Sequence, residues 1–498
     1  MSNRPNVLLV TTDHWFASLL GAAGHPAIQT PTLDELCRNG IRFTRAYSEC
    51  PVCIPARRTL MTGTTPRTHG DRTFQTGLPM PDAPTLARCF RDAGYQACAV
   101  GKLHVYPQRD RIGFDDVILD EEGRTQWGVT DDYSLYLGDR GHAGEQYAHA
   151  MSNNQYVSRP WHLDESLHRT NWAAAQMERT IRRRDPRRPG FWYLAFAHPH
   201  PPLTPLPGYL DLYRSVAIDE PYVGAWAAGS PDSLPYALRR NREYAVHLNE
   251  DVRRDARRAF YALCTHIDHQ LRRVIGTLRE EGILSNTIIA FTSDHGDMLG
   301  NHGLWAKRCF LENSARVPML LCGTEAESTG DRSQVPVGVA DARLVGLADV
   351  MPTLLGLCGI PIPEGVDGRP MVGSARREYL YGEQDEGATA SRMVTDDRYK
   401  LIYFAAGNRF LLFDLEADPN ELEDLSTSPD HARIRKDLTD RLIAELYGGD
   451  RRWLAGDNGQ QLVGLPEPEH GGAPSQGLFG QRGTHWPPPP ASGISVGA

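Results

Sequence analysis

Hydrophobic and polar positions alternate along this chain in long blocks. The run NVLLVTTD (6–13) is continuously apolar and then turns polar, which fits a strand buried on both faces and not the period-two pattern of a strand with one wet face. TPTLDELCRNG (30–40) reads as a capped helix stopped at Gly40 and followed by the strand IRFTRAY (41–47). PTLARCFRDAGY (84–95) repeats that order before QACAVGKLH (96–104). FWYLAFAHPHPP (191–202) is an aromatic and aliphatic strand that stops at a His/Pro cluster. A long helix through FYALCTHIDHQLRRVIGTLREEG (260–282) leads to the strand TIIAFTSDHG (287–296). Strands alternating with helices predict an α/β fold with a doubly wound, mostly parallel sheet flanked by helices.

The pattern changes near residue 375. REYLYGEQ, SRMVTDDRYKLIYF and NRFLLFDLEADPNELEDLS alternate like strands of a small antiparallel sheet, and the helix HARIRKDLTDRLIAELYGG follows. The expected organisation is a catalytic α/β domain over 1–374, a smaller C-terminal α+β subdomain over 375–454, and a mobile Gly/Pro-rich tail over 455–498 that contains WPPPP.

At 498 residues the chain can bury a large core, and 40% hydrophobic with 23% charged residues is globular composition. A net charge of −9 without a basic run interleaved with aromatics argues against a nucleic-acid partner, and RTIRRRDPRRPG around 180–190 reads as a solvated helix end. No segment reaches the ~18 apolar residues of a membrane span, and MSNRPNVLLVTTDHW lacks the layout of a secretory signal. Nine scattered cysteines suit a reducing compartment, so the expected location is cytoplasmic, with no membrane partner.

Four predicted strand ends deliver polar side chains: Asp13, Lys102 with His104, His198 with His200, and Asp294 with His295. Open α/β sheets bind ligands at the carboxyl ends of their strands, so these ends point to one shared cleft. Asp13, Asp294 and His295 suit one divalent cation, Ca²⁺, Mg²⁺ or Mn²⁺, and the imidazole tilts the set toward Mn²⁺ or Zn²⁺ relative to an all-oxygen site.

CPVCIPARRTLMTG (50–63) poses a separate question, because its two cysteines have no second CxxC with which to build a zinc site and no thioredoxin-like surroundings. Pro55 fits the first turn of a helix, which puts Cys53 at an N-terminus that favours an anion, with Arg57 one turn on. Cys53 therefore occupies the position of an anion-facing nucleophile.

Cys53, Pro55 and Arg57 resemble the C-x-P-x-R core of the formylglycine-dependent sulfatases of the alkaline phosphatase superfamily, and RRTLMTG continues that signature. PNVLLVTTD, AGYQACAVGKLH, FAHPHPPL, TSDHGDMLGNHGLWAK and ADVMPTLLGLCGIPIPEGVDG are similar to family segments in the family's usual order. The resemblance implies that a formylglycine-generating enzyme converts Cys53 to Cα-formylglycine. The hydrated aldehyde would attack sulfur, the alcohol would leave, and the second hydroxyl would expel sulfate. It further implies metal ligation by Asp13, Asp294, His295 and modified Cys53. Arg57 would hold the nucleophile, Lys102 and Lys307 would bind sulfate oxygens, His104 would act as a base and His198 would serve the leaving oxygen. Arg308 is an alternative to Lys307, His200 is expected to pack in the Pro-rich loop, and His69 and His302 are supporting candidates.

The implied substrate is a small-molecule sulfate ester, hydrolysed to sulfate and an alcohol. His14 stands after Asp13 where many sulfatases have a second acid, and His295 stands where many have asparagine. These departures resemble the phosphonate monoester hydrolase and choline-sulfatase-like branch, so a phosphonate monoester or phosphodiester is the alternative substrate. An asparagine frequent in the family is absent from THGDRTFQTG, where Thr73 or Gln75 stands in. Pocket-lining residues are expected in 126–166 and 207–250, where long loops interrupt the pattern.

Overall fold

The computed structural model describes residues 4–122, 129–151, 154–245, 248–324, 335–456 and 459–469. The eight strands of the main sheet are β1 (Asn6–Thr12), β2 (Ile41–Tyr47), β3 (Gln96–Gly101), β4 (Asp116–Leu119), β5 (Gly190–Ala195), β6 (Thr287–Ser293), β7 (Met319–Cys322) and β8 (Val339–Gly346). Their spatial order is β4-β3-β5-β1-β6-β7-β2-β8, and all pairings are parallel except those of β7. The expected doubly wound, mostly parallel sheet is present, with β1 near its centre and β4 as a short strand that the sequence pattern does not reveal.

The uninterrupted apolar run of β1 is explained by its two covered faces. Leu8 and Val10 point into a core built with the helices Arg169–Arg182 and Glu250–Glu280, through Trp172, Phe260 and Leu271. Val7 and Leu9 point the other way, into a core with the helices Cys53–Thr62, Leu86–Asp92 and Val350–Leu357. The helix expected over 260–282 starts ten residues earlier, where Asn249 caps it by accepting from the Val252 amide at 2.9 Å.

The C-terminal sheet is antiparallel, in the order β12-β11-β10-β9, from β9 (Leu380–Gln384), β10 (Ser391–Thr395), β11 (Tyr399–Phe404) and β12 (Arg409–Asp414). One face, with Met393, Ile402 and Phe413, packs on Phe310 and Leu344 of the main unit, while Val394, Leu401 and Leu412 meet Leu438 and Leu442 of the helix Ala432–Glu445. The stretch read as a tail is structured as far as 469: β13 (Leu454–Ala455) pairs with β14 (Gln461–Leu462), and Leu465 bridges to Ala406. The WPPPP run lies outside the described residues.

One buried ion cluster ties the second sheet to the first. Lys400 of β11, fully buried, reaches Glu312 at 2.7 Å and Glu421 at 2.6 Å, and Tyr47 of β2 donates to Glu312 at 3.0 Å. Burial and the neighbouring Glu312 push the Glu421 carboxyl up to about 7 despite Lys400. Removing Lys400 leaves two carboxyls facing each other in the interior, which costs about 3–5 kcal/mol. Lys400→Met is therefore expected to unfold at markedly lower urea at pH 8. At pH 6 the deficit shrinks, because a carboxyl whose folded pKa lies above its unfolded value gains stability as pH falls through it. Urea denaturation at the two pH values checks both statements.

Candidate active site

Because β1, β3, β4, β5 and β6 run parallel, their carboxyl ends open on the same edge, and the segment after β2 arrives there as well. β1 delivers Asp13 and His14, β3 delivers Lys102 and His104, β5 leads to His198 and His200, and β6 delivers Asp294 and His295. Each of these side chains is buried. Two glycines permit the approach. A Cβ at Gly101, where φ is +101°, would run into the Ala195 carbonyl, and one at Gly296 would run into the Asn313 carbonyl and Phe16.

Cys53 is the first residue of its helix, after Val52 in extended backbone, so its side chain sits at the helix N-terminus as expected. Its Sγ lies 3.3 Å from His295 Nε2 and 3.7 Å from Asp13 Oδ1. Ligand atoms of Asp13, Cys53, Asp294 and His295 all fall within 4.8 Å of one another. Lys102 Nζ donates to Asp13 Oδ2 at 2.5 Å, and Arg57 donates to Asp294 Oδ2 at 2.9 Å and to Asp13 Oδ2 at 3.4 Å. Lys307 Nζ touches His14 Nε2 and lies 3.2 Å from His200 Nε2. His198 turns its Nδ1 to the His200 carbonyl at 3.1 Å, and Glu121 accepts from the Leu103 and His104 amides at 2.9 and 2.8 Å.

Burial and the Asp13 carboxylate push the Cys53 thiol up, but Lys307, Lys102 and His295 together hold it below its ordinary value. Burial raises the Asp13 carboxyl, yet Lys102, with the imidazoles around it, keeps it well below the carboxylate range. Asp294 moves the opposite way, because burial and the adjacent Asp13 outweigh His295 and Arg57. Two carboxylates, an imidazole and a sulfur converge here, and one acid suffers from the charge of the other. That donor set fits a divalent cation of moderate hardness.

Several residues land differently from their sequence expectations. His200 does more than pack in the Pro-rich loop, since its ring bridges Lys307 and Glu122, the latter at 3.4 Å. Arg308 turns toward Asp385 at 3.7 Å and over the Phe74 ring. His302 packs on Tyr222 and Trp226, and His69 bonds Thr59 of the Cys53 helix at 2.9 Å, so both support the surroundings. Gln75 and the Thr73 amide bond Asp71. All nine cysteines are free, and Cys50 points at Gln384 Oε1 at 3.4 Å.

Sequence reasoning missed Glu121, Glu122 and Asp297. Glu122 lies 3.1 Å from Lys102 Nζ, and Asp297 lies 2.6 Å from His14 Nδ1. The first two follow the strand Asp116–Leu119, which at four residues is too short to show a period.

The Sulfatase family model matches residues 5–360, and a model for the C-terminal part of N-sulphoglucosamine sulphohydrolase matches residues 300–446. An arylsulfatase of Clostridium perfringens is 33% identical over 93% of this chain and 98% of its own length, and a choline-sulfatase of Rhizobium meliloti is 30% identical over 86% and 83%. In fold, the chain is similar to the phosphonate monoester hydrolase of Agrobacterium radiobacter, with a TM-score of 0.73, 24% identity, and 89% of this chain and 95% of that one covered.

The donor cluster predicts a metal-dependent rise in stability. A ligand bound only by the folded state stabilises it by about 2.7 kcal/mol at a free concentration of 100 Kd. Thermal unfolding is therefore expected to shift upward with Mn²⁺ or Ca²⁺ and to return with a chelator, and Asp294→Asn is expected to lose most of the shift.

Proposed function

The chain belongs to the sulfatase family, and on that premise we propose that this hydrolase cleaves a small-molecule sulfate ester with a formylglycine made from Cys53. The observation that carries the reading is the convergence of Cys53, Asp13, Asp294 and His295 at the end of a helix, braced by Arg57 and Lys102. In this proposal a formylglycine-generating enzyme modifies Cys53 before use, and the protein works in the cytoplasm without membrane or nucleic-acid partners. Its nine free cysteines support that compartment.

Asp13, Asp294, His295 and residue 53 would hold one divalent cation, Ca²⁺, Mg²⁺ or Mn²⁺. Once bound, it supplies Lewis-acid polarisation of an ester oxygen and acidification of the nucleophile. The protein's own groups do the rest. Arg57 fixes the nucleophile end, because Asp294, Asp13 and the Lys102 carbonyl at 2.7 Å hold its guanidinium from three sides. Lys102 and Lys307, both buried, would bind the sulfate oxygens, because fixed charges in a buried cleft act strongly. His104, whose backbone amide donates to Glu121, would act as the base at the nucleophile.

His198 serves the leaving oxygen. Its Nδ1–H donates to the His200 carbonyl, which leaves Nε2 to hold or release a proton at that oxygen. Burial, His168 and Arg169 keep this imidazole uncharged in the free protein, so the arriving anion is what makes protonation favourable.

A phosphonate monoester or phosphodiester is the second reading. It is favoured by His14, which leaves the site one carboxylate short of a two-acid pair, and by His295, which puts an imidazole where asparagine is frequent.

Co-expression with a formylglycine-generating enzyme is expected to lower the mass of the tryptic peptide containing Cys53 by ~18 Da, the loss for thiol-to-aldehyde conversion. Unmodified cysteine, under conditions that convert a control sulfatase, would sink the proposal. Panels of sulfate, phosphonate and phosphodiester substrates then separate the two readings.

If His198 protonates the leaving oxygen, His198→Ala is expected to slow alkyl sulfates by about 10²–10⁴-fold and 4-nitrophenyl sulfate far less, because a good leaving group needs little help. Equal slowing of both would remove that role.

A further inference from the structure

The residue after Asp13 is bonded on both sides. His14 Nδ1 lies 2.6 Å from Asp297 Oδ2, and His14 Nε2 contacts the Lys307 ammonium. A lysine ammonium can only donate, so His14 Nε2 accepts and Nδ1 carries the proton that Asp297 receives. That pattern defines a neutral imidazole held in one tautomer.

Asp297 is a hub in its own right. Its Oδ1 accepts from the Leu299 and Ala306 amides at 2.8 and 3.1 Å, and its Oδ2 accepts from His14 and from the Tyr156 hydroxyl. Burial would raise this carboxyl, but the His14 and Tyr156 bonds bring it below its ordinary value, so it stays ionised. The same carboxylate therefore grips both the backbone that carries Lys307 and the ring that Lys307 touches.

The Lys307 backbone is fixed by further means. Asn241 Nδ2 donates to the Trp305 and Lys307 carbonyls at 2.7 and 2.6 Å. Lys307 sits between Ala306 and Arg308, both in the left-handed region at φ 63° and 72°, and His14 is at φ 79°. Non-glycine residues in that region are uncommon and persist where the surroundings hold them.

We infer that Asp297 and His14 form a positioning pair for Lys307, aiming its ammonium at the substrate anion, and that His14 is not a metal ligand. This rests on the anion-binding role given to Lys307 in the proposed function. The geometry favours it over ligation, since the Nε2 that could face Asp13 at 3.5 Å is committed to Lys307 and Nδ1 points away to Asp297. The two groups bonded to the Lys307 ammonium among the described residues are imidazoles, so its charge remains available to an anion.

The test combines three readouts on the full-length protein: Mn²⁺ affinity by chelator competition, binding of inorganic sulfate and phosphate by calorimetry, and steady-state kinetics with 4-nitrophenyl sulfate. His14→Leu is expected to keep Mn²⁺ affinity within about twofold while weakening anion binding and raising KM at least tenfold. His14→Gln keeps an acceptor near the Nε2 position and should recover part of that loss. In a Lys307→Met background, His14→Leu should cost little more.

A tenfold loss of Mn²⁺ affinity in His14→Leu, additive losses in the double variant, or unchanged anion binding would each overturn the assignment. So would a wild-type protein that binds neither anion. A wild type that binds anions but turns over no ester counts against the proposed function alone, because the metal and anion measurements still decide the role of His14.

Discussion

Asp13 is a carboxylate with no water to face, and the rest of the cleft is arranged around that fact. Removing an ion from water costs several kcal/mol even after relaxation, so the charge must be met from within the protein. Lys102 meets it at 2.5 Å, but Lys102 is itself fully buried and needs Glu122 at 3.1 Å on its other side. Arg57 bridges from Asp13 to Asp294, whose carboxyl is pushed up by burial and by Asp13. The compensation is incomplete at one point, where two acids, His295 and the Cys53 sulfur converge, and that is where a cation fits the donor set.

The scaffold makes the arrangement possible because it supplies strand ends without loops of its own. Strands paired in parallel on either side of β1 bring residues from positions 13, 102, 198 and 294 to one edge, each within a few residues of a rigid ladder. The helix that begins at Cys53 adds its N-terminus to that edge and is buried along its whole length, so the sulfur has little freedom to move. The C-terminal sheet closes one side. β9 is followed by Asp385, a left-handed residue at φ 57° that pairs with Arg240 at 2.6 Å and lies near Arg308. The buried Lys400 cluster ties that sheet to the main unit.

The sequence made legible what depends on short-range pattern. Asp13 and Asp294 stood out because each follows an apolar run that only a doubly covered strand explains, and Cys53 stood out because Pro55 marks a first helical turn. What stayed hidden depends on pairings across the fold. β4 is four residues long and too short to show a period, so the acids after it were passed over. Asp297 is two residues past His295, yet nothing local reveals that it gathers Tyr156, His14 and two amides from separate segments. His200 looked like a loop histidine because its partners, Lys307 and Glu122, are about a hundred and eighty residues apart from each other in the chain. The loop 126–166 was expected to line the pocket; its Tyr156 is buried and acts on the site through Asp297.

An imidazole at position 14 constrains its neighbours as much as it shapes the site. A carboxylate there would stand against the Asp297 carboxylate, with no proton between them, in a region where like charges are costly. Residues 14 and 297 are thus coupled: an acid at one asks for a donor at the other. With His14 neutral, the positive charge of Lys307 is touched by two imidazoles and cancelled by neither. Lys102 differs, because Asp13 and Glu122 stand against it. The two lysines are therefore unequally placed: two carboxylates stand against Lys102, and two imidazoles stand against Lys307.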